Sequence, residues 1–289
     1  MKEIQWYPGH MTKARRMMEE SLRQIDVIVE LVDARAPIAS RNPDFDHLFA
    51  QKQRIVVLNK ADLADTASTR EWEAFFAQKG AEALSFVATR RGQKPAALKA
   101  IERASAEKVA KMAAKGVKKT VRVMIAGIPN VGKSTFINTL SGGANATTGN
   151  RPGVTKGKQW VRLGPYLELM DTPGMLWPKL ENRQEALHLA YIGAIRDGIL
   201  DTEELALSLL ENGMQRWPEA FMMRYPGLSP SMSGAQMLET MGSDRGFLLQ
   251  GGVIDLARAA STVLDEFRRG VIGRFTLDDP KEQYNIKDE

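Results

Sequence analysis

Cysteine is absent from the 289 residues of this sequence. Its absence excludes disulfide bonds, zinc–thiolate centres and thiol catalysis, and it fits a reducing cytoplasm. Histidine is scarce as well, since only His10, His47 and His188 occur, and their scatter along the chain does not indicate a metal cluster.

Long apolar runs are also missing, because no stretch approaches the roughly 18 residues that identify a membrane span. The first residues show neither the apolar core of a signal peptide nor the Arg- and Ser-rich composition of a transit segment. We therefore expect a cytoplasmic protein without a membrane partner.

Positively charged residues are only slightly in excess of negatively charged ones. Lys and Arg total 40 against 35 Asp and Glu, which gives a net charge of +5 and a pI near 9.3. This excess favours an anionic partner such as nucleic acid, and it is equally compatible with a mildly basic protein that has no such partner.

Apolar segments alternate with helical stretches over the first 180 residues. The predicted strands cover residues 25–32, 55–58, 84–88, 121–126 and 167–170, and the helices between them cover about 43–52, 69–79 and 95–115. Such alternation predicts an α/β fold with a mainly parallel sheet and flanking helices. Later residues are typical of helices only, at about 184–196, 202–211, 234–241 and 252–269. We predict a first domain of residues 1–180 and a small all-helical C-terminal domain of residues 181–289.

The strongest motif is Gly127-Ile-Pro-Asn-Val-Gly132-Lys133-Ser134, which fits the phosphate-loop pattern GxxxxGK[ST]. It follows a predicted strand and opens a predicted helix, as the pattern requires. Glycines let backbone N–H groups surround phosphate oxygens, and the helix N-terminus adds a positive dipole end. Lys133 can reach the β- and γ-phosphates, and Ser134 can hold Mg²⁺.

A second motif, Asn59-Lys60-Ala61-Asp62, follows the strand at 55–58. A carboxylate at Asp62 can accept both the N1–H and the exocyclic N2–H of guanine. Adenine lacks this donor pair and would leave the carboxylate unpaired, which discriminates strongly between the bases. Asn59 can bond the base and brace the phosphate loop, while the stem of Lys60 packs along the base plane.

The third motif is Asp171-Thr172-Pro173-Gly174, again after a strand. Asp171 is expected to hold the Mg²⁺ shell through water, and the Gly174 N–H to touch the γ-phosphate. Thr155 is the expected switch threonine that completes the metal shell. The next residue, Met175, stands where many GTPases have a water-orienting glutamine, so the water must be positioned from elsewhere.

The order of these motifs is unusual. Ordinary GTPases carry the phosphate loop first, then DxxG and then NKxD, whereas here NKxD comes first and DxxG last. A sheet depends on which strands lie side by side and not on where the chain starts. We therefore predict a circularly permuted P-loop GTPase domain, in which the helix at 95–115 joins the original chain ends.

At this point the chain resembles the YlqF/RbgA-type circularly permuted ribosome biogenesis GTPases. The permuted order carries the resemblance together with five segments, Trp6-Tyr-Pro-Gly-His10-Met11, Asp33-Ala-Arg35-Ala-Pro-Ile-Ala-Ser40-Arg41-Asn42-Pro43, Asp255-Leu-Ala-Arg258-Ala-Ala, Asp265-Glu-Phe-Arg268-Arg-Gly270 and Gly273-Arg274. The resemblance implies GTP binding and hydrolysis to GDP, with a role in assembly of the large ribosomal subunit and stimulation by the ribosomal particle. The implied partners are the large-subunit precursor and its rRNA, and no DNA is expected.

Carried over by position, the resemblance implies contacts at both ends of the nucleotide. The guanine contacts are Asn59, Lys60, Ala61 and Asp62, with Val87 and Ala88 behind the base, and the phosphate contacts are Asn130, Val131, Gly132, Lys133, Ser134, Thr135 and Gly174. The family usually has Ser-Ala-Lys behind the base, and Val87-Ala88-Thr89 departs from it.

Two further assignments start from individual residues. The side-chain carbonyl of Asn130 can reach a K⁺ ion beside the phosphates, or it can merely brace the loop. His10 can position the attacking water at neutral pH if Pro8-Gly9 turns the chain so that His10 projects from a loop; the alternative is a packing or RNA-contacting role.

The C-terminal region has no catalytic motif. On the helix at 252–269 one apolar face is expected, made of Ile254, Ala257, Val263, Leu264 and Phe267. Four arginines of this region can meet rRNA phosphates: Arg258, Arg268, Arg269 and Arg274. The alternative for Arg268 and Arg269 is that they only favour a helix C-terminus before Gly270.

The alternative function is a GTP-regulated RNA-modification or translation accessory protein, and a P-loop kinase is disfavoured by Asn59-Lys60-Ala61-Asp62.

Overall fold

A computed structural model describes residues 8–143, 159–177, 180, 182–195 and 201–281, with backbone alone for residues 8–11. The chain divides into two compact units. The helical unit comprises Arg183–Phe275, and the sheet unit comprises the described residues up to Asn182 together with the segment that begins at Thr276. No helix in the described ranges is long and apolar enough to cross a membrane.

A six-stranded sheet forms the centre of the sheet unit, in the order β3-β2-β1-β4-β6-β5. Its strands are β1 (Val27–Asp33), β2 (Gln53–Asn59), β3 (Glu82–Phe86), β4 (Val121–Ala126), β5 (Gln159–Arg162) and β6 (Leu167–Asp171). Neighbours pair in parallel except β5, which runs antiparallel to β6. The predicted mainly parallel sheet is therefore confirmed, and the carboxyl ends of β1, β2, β3, β4 and β6 meet at one edge.

Five helices accompany the sheet in the described residues: α1 (Pro8–Leu22), α2 (Asp44–Leu48), α3 (Thr66–Gln78), α4 (Lys94–Ala113) and α5 (Lys133–Ser141). Even-numbered residues of β1 and its neighbours pack against α1, α2 and α3 in two apolar clusters. Odd-numbered residues of β1 are equally buried on the opposite face, and α4 contacts β1, β2 and β4. Burial on both faces explains why these strands are continuous apolar runs.

The join predicted for the permuted chain is the 20-residue α4, which leads from β3 to the connector before β4. It connects the strand at one edge of the sheet to a strand in the middle. The chain order of the motifs is thus permuted while the strands that carry them remain neighbours.

The helical unit contains α6 (Arg183–Tyr191), α7 (Thr202–Arg216), α8 (Pro218–Arg224), α9 (Gly234–Asp244) and α10 (Leu256–Arg268). Side chains mark where three of them begin: Asp201 and Asp255 accept backbone N–H bonds of α7 and α10, and Ser233 forms a capping box with Gln236 on α9. Helix α7 contacts the other four helices.

A buried carboxylate ties three parts of this unit together. Glu266 on α10 accepts hydrogen bonds from Arg224, Tyr225 and Arg245. Burial alone would raise the pKa of Glu266, but these hydrogen bonds and the arginine charges have the larger, opposite effect and lower the pKa to about 2. The group is therefore ionised at neutral pH, and the cluster stabilises the packing of α10.

The structure differs from the predicted domain bounds at the C-terminal end. The chain passes into the helical unit between Asn182 and Arg183, but the segment from Thr276 returns to the sheet unit, whereas the predicted helical domain extends to 289. The reason is hydrogen bonding: the Leu277 N–H donates to the Arg35 carbonyl at 2.6 Å.

Candidate nucleotide-binding site

The phosphate-loop residues connect β4 to α5, with Gly132 just before the first helical residue, Lys133. Gly132 has a φ of 97°, and a Cβ there would lie 2.4 Å from the Asn59 amide nitrogen. Glycine is therefore required twice, by the left-handed backbone and by the close approach. The N-terminus of α5 faces the loop, which is the arrangement that binds phosphate groups.

Lys133 is buried beneath this loop. Its ammonium donates to the Ile128 carbonyl at 2.8 Å. Burial lowers the pKa of Lys133 to about 8, although the charge of Asp171 opposes the shift. The loop thus keeps its cation close to backbone groups, ready to meet an anionic ligand.

Ser134 and Asp171, both predicted for Mg²⁺, lie side by side. The Ser134 hydroxyl donates to the Asp171 carboxylate at 2.9 Å. A hydroxyl and a carboxylate are the hard oxygen ligands that Mg²⁺ prefers, so the pair fits the ion. No group of three or more His, Asp or Glu residues in the described residues could hold a metal alone. Further oxygen ligands, such as the predicted Thr155 or phosphate oxygens, would have to complete the shell.

Gly174 packs directly against the phosphate loop. A Cβ at Gly174 would lie 2.6 Å from the Pro129 backbone nitrogen, so only glycine fits. The following Met175 is buried in the core with Met18 and Met170, and its carbonyl accepts from the Asn42 amide at 2.9 Å. Its side chain therefore cannot reach a bound water, in line with the expectation that the water is positioned by another group.

Asn59 connects three loops from the end of β2. Its amide nitrogen donates to the Val131 carbonyl in the phosphate loop at 2.7 Å, and its amide oxygen accepts from the Ala88 N–H at 3.1 Å. Asn59 as a whole is 1% exposed. Asn59 therefore braces the phosphate loop, as its motif position predicts, and it also holds the loop after β3.

The two loops predicted to hold guanine lie next to each other. Asn59 pairs with Phe86 at the end of the parallel strands β2 and β3, and the Ala61 N–H donates to the Phe86 carbonyl. Val87 and Ala88 follow, both buried, and Thr139 of α5 donates to the Ala88 carbonyl. These contacts place Val87 and Ala88 beside Asn59 and Ala61 of the second motif.

Lys60 has an unexpected partner. Its backbone adopts a φ of 59°, and its ammonium lies 2.9 Å from the carboxylate of Asp33 at the end of β1. Asp33 also pairs with Arg35. Asp33 and Arg35 belong to a segment that carries the family resemblance, but none of the three motifs gives them a role. The sequence signal that could have identified Asp33 is its position at the end of a strand, because that strand pairs with β2, which carries the second motif.

The structure corrects the environment predicted for His10. Helix α1 begins at Pro8, so His10 lies in the first turn of a helix and not in a projecting loop. Proline is favoured at the first helical position because its missing N–H has no helical acceptor to meet there and its φ is already helical. The side chain of His10 lies outside the part of the chain that the structure describes, as does the whole of Thr155.

Arg268 and Arg269, two of the four arginines predicted to meet rRNA, have contacts within the helical unit. The Arg268 guanidinium donates to the carbonyls of Ala190 and Tyr191 at the end of α6, which is a structural role. Arg269 pairs with Asp265 on its own helix. Of the predicted apolar face, Val263, Leu264 and Phe267 are buried, Ile254 precedes α10, and Ala257 is exposed because the helix turns it towards solvent.

Comparisons with known proteins agree with this geometry. A family model described as "50S ribosome-binding GTPase" matches residues 122–215. The chain is 45% identical to Ribosome biogenesis GTPase A of Bacillus cereus, over 96% of this chain and 95% of that protein. It is 32% identical to the protein of the same name from Thermotoga maritima, over 99% and 98%. The crystal structure of GNP-bound YlqF from T. maritima matches with a TM-score of 0.66 and 29% identity, over 93% of this chain and 99% of that one.

Proposed function

This chain belongs to the ribosome biogenesis GTPase A family, and from that premise we propose that it assists assembly of the large (50S) ribosomal subunit, with GTP hydrolysis stimulated by the ribosomal particle. The family makes it a GTP-hydrolysing enzyme of ribosome biogenesis. The observation that supports stimulation is the burial of Met175, because the residue after DxxG offers the attacking water no polar group.

Co-sedimentation and turnover test this proposal together. Immature and mature large subunits are incubated with the protein and GDP, GTP or a non-hydrolysable GTP analogue. We expect tighter binding to immature particles with the analogue than with GDP, and faster GTP turnover when particles are added. Binding that ignores both the nucleotide and the maturity of the particle would contradict the proposal, as would turnover that particles leave unchanged.

The guanine end of the site is Asn59, Lys60, Ala61 and Asp62, with Val87 and Ala88 behind the base. The phosphate end is Asn130, Val131, Gly132, Lys133, Ser134, Thr135 and Gly174. Supporting this assignment, Asn59 bridges the two ends and Gly174 abuts Pro129. Lys133 and the N-terminus of α5 contribute positive charge where the γ-phosphate leaves.

Mg²⁺ is the divalent ion of this proposal. Ser134 and Asp171 would hold it, Asp171 through water, and Thr155 would complete the shell. When bound, the ion neutralises charge that develops on the phosphate oxygens. The 2.9 Å contact between Ser134 and Asp171 supports the assignment, because it brings both oxygen donors to one place.

K⁺ beside Asn130 is a further part of the proposal. Asn130 lies in the phosphate loop with a left-handed φ of 63°, a conformation that asparagine tolerates better than most residues. A side-chain carbonyl there would let a monovalent cation add charge near the phosphates. GTP turnover is measured in K⁺ and in Na⁺ at equal ionic strength. We expect faster turnover in K⁺, and equal rates would remove the ion from the mechanism.

His10 is proposed to orient the attacking water. The vacancy left by Met175 supports this role, and the helical start at Pro8 places the His10 backbone in a defined first turn. In His10→Ala, nucleotide affinity and particle binding should stay near normal, while particle-stimulated turnover falls by roughly 10²–10⁴-fold. Stimulated turnover equal to that of the native protein would assign His10 to packing or RNA contact.

Ribosomal RNA is the proposed ligand of the helical unit, and the cytoplasm, where ribosomes assemble, is the proposed location. Arg274 is exposed and keeps its charge accessible, unlike Arg268. In Arg274→Gln we expect weaker particle binding and a salt dependence whose logarithmic slope is smaller by about 1, as for the loss of one phosphate contact. An unchanged slope would exclude Arg274 from the RNA contact.

A further inference from the structure

Asp33 is a buried carboxylate at the carboxyl end of β1, next to the guanine motif. One oxygen accepts from the Arg35 Nε at 2.8 Å, and the other accepts from the Arg35 terminal nitrogen at 2.7 Å. The second oxygen also lies 2.9 Å from the Lys60 ammonium. The Asp33 side chain is 1% exposed and Arg35 is 3% exposed, so solvent screens these contacts little.

The position of Asp33 follows from the sheet register. Asp33 pairs with Asn59 across β1 and β2, so the next residue along, Lys60, is within its reach. The Ala34 N–H donates to the Asn59 carbonyl at 2.8 Å and keeps the two chain segments together beyond the last strand pair. A carboxylate at this position therefore faces the motif lysine whenever the sheet forms.

Charge balance keeps this carboxylate ionised. Burial alone would raise the pKa of Asp33, but the charges of Arg35 and Lys60 lower it well below its usual range. Lys60 has a long flexible stem, and a fixed counter-charge restricts the orientations of its ammonium. The stem of Lys60 is thereby held in one direction before any base arrives.

A segment at the far end of the chain holds the loop that carries Arg35. The Leu277 N–H donates to the Arg35 carbonyl at 2.6 Å, and the Asp278 carboxylate accepts from the N–H groups of Ile38 and Ala39 at 2.7 and 3.0 Å. We call residues 276–278 the tail clasp. Thr276 adds a contact on the other side of the guanine motif, where its hydroxyl accepts from the Asp65 N–H at 3.2 Å.

We propose that Asp33 is a positioning residue of the guanine site, which orients Lys60 along the base, and that the tail clasp supports it by fixing the loop of Arg35. The inference rests on the proposed assignment of Lys60 to guanine. It adds a residue of β1 and the end of the chain to a site otherwise built from the motif loops. Pre-orienting a flexible side chain raises affinity because less freedom is lost on binding.

A double-mutant cycle on GDP affinity tests the role of Asp33. Lys60→Met keeps the apolar stem and removes the ammonium, while Asp33→Asn keeps the shape and removes the charge. Each single change should weaken GDP binding by about tenfold, the scale of one charge-assisted hydrogen bond. The double variant should also be about tenfold weaker and not a hundredfold, because both changes remove the same interaction.

Glu30→Gln is the matched control. Glu30 lies on the same strand, is equally buried and pairs with two arginines, Arg41 and Arg54, away from the guanine motif. This variant should lower the unfolding temperature and leave GDP affinity within twofold of native. The control separates loss of a buried charge as such from loss of the charge that faces Lys60.

The outcomes distinguish the failure of each assumption. If Lys60→Met binds GDP normally, Lys60 is not a guanine contact and the underlying assignment fails. If Lys60→Met weakens binding but Asp33→Asn does not, or the two losses multiply, the positioning role of Asp33 is refuted.

The tail clasp gives a test that leaves the buried ion cluster intact, and it remains decisive if Asp33→Asn does not fold. Asp278→Ala removes the acceptor of Ile38 and Ala39, whereas Asp279→Ala, one residue further, is the control. We expect about threefold weaker GDP binding for Asp278→Ala, an effect that disappears in the Lys60→Met background. GDP affinity equal to that of Asp279→Ala would refute the clasp.

Discussion

Replacing Asn59 by alanine should separate the loops that are proposed to hold the two ends of the nucleotide. The change removes the 2.7 Å bond to the Val131 carbonyl and the 3.1 Å bond from the Ala88 N–H. Each buried group that loses its partner costs about 1–2 kcal/mol, so the unfolding free energy should fall by about 2–4 kcal/mol. Urea unfolding measures the loss, and GDP affinity should fall at least tenfold.

A second substitution tests whether Asn59 and Gly132 share one space. In Gly132→Ala the new Cβ would lie 2.4 Å from the Asn59 amide nitrogen, in a backbone with φ of 97°. Strain from this left-handed φ costs about 1–2 kcal/mol in any background, but the clash exists only while Asn59 is present. Gly132→Ala should therefore cost less in Asn59→Ala than in the native protein.

Two results would refute this reasoning. An unfolding free energy of Asn59→Ala within about 0.5 kcal/mol of native would show that the bonds from Asn59 do not stabilise the loops. Strictly additive effects of Asn59→Ala and Gly132→Ala would show that the two residues do not compete for one space.

Three other predictions follow from the same contacts. Asp62→Asn should weaken GTP binding and favour xanthosine triphosphate, and equal affinity of the native protein for GTP and ATP would contradict the guanine assignment. Ser134→Ala should raise the Mg²⁺ concentration needed for half-maximal turnover by about tenfold, and an unchanged Mg²⁺ titration would remove Ser134 from the metal site. Ionised Glu266 stabilises the helical unit at neutral pH, and this stability is lost as the pH falls from the ordinary glutamate value towards its folded pKa of about 2. The difference in unfolding free energy between the native protein and Glu266→Gln should therefore shrink by about 3 kcal/mol between pH 6 and pH 2, and a constant difference would refute this.

Local patterns predicted much of the fold. The strand Val121–Ala126 was predicted at its observed bounds because it is an apolar run that ends at the glycine of the phosphate loop. The sequence does not predict strand β5, which lies at the sheet edge and buries only Val161 of its four residues. An edge strand that is mostly exposed contains no apolar run by which it could be predicted.

The sequence predicts the candidate site residues that belong to short motifs of known spacing. Ser134 and Asp171 come from separate motifs, each motif predicts one Mg²⁺ ligand, and the structure places the two side chains in contact. The contact of Asp33 with Lys60 was not predictable in this way, because it depends on strand register and not on spacing within a motif. The sequence does not predict the helical start at Pro8, because Pro-Gly is also a common turn signal.

The strand order has a consequence for the growing chain. Strand β1 lies between β2 and β4, and all seven of its residues are buried. During synthesis β2 and β3 emerge soon after β1, but β4 follows only after the long helix α4. At roughly 5–20 residues per second, the backbone N–H and C=O groups on the β4 side of β1 stay without their strand partner for several seconds. An unpaired strand edge of this kind can pair with other chains. The permuted order therefore exposes this protein to aggregation or chaperone binding before its phosphate loop has been translated.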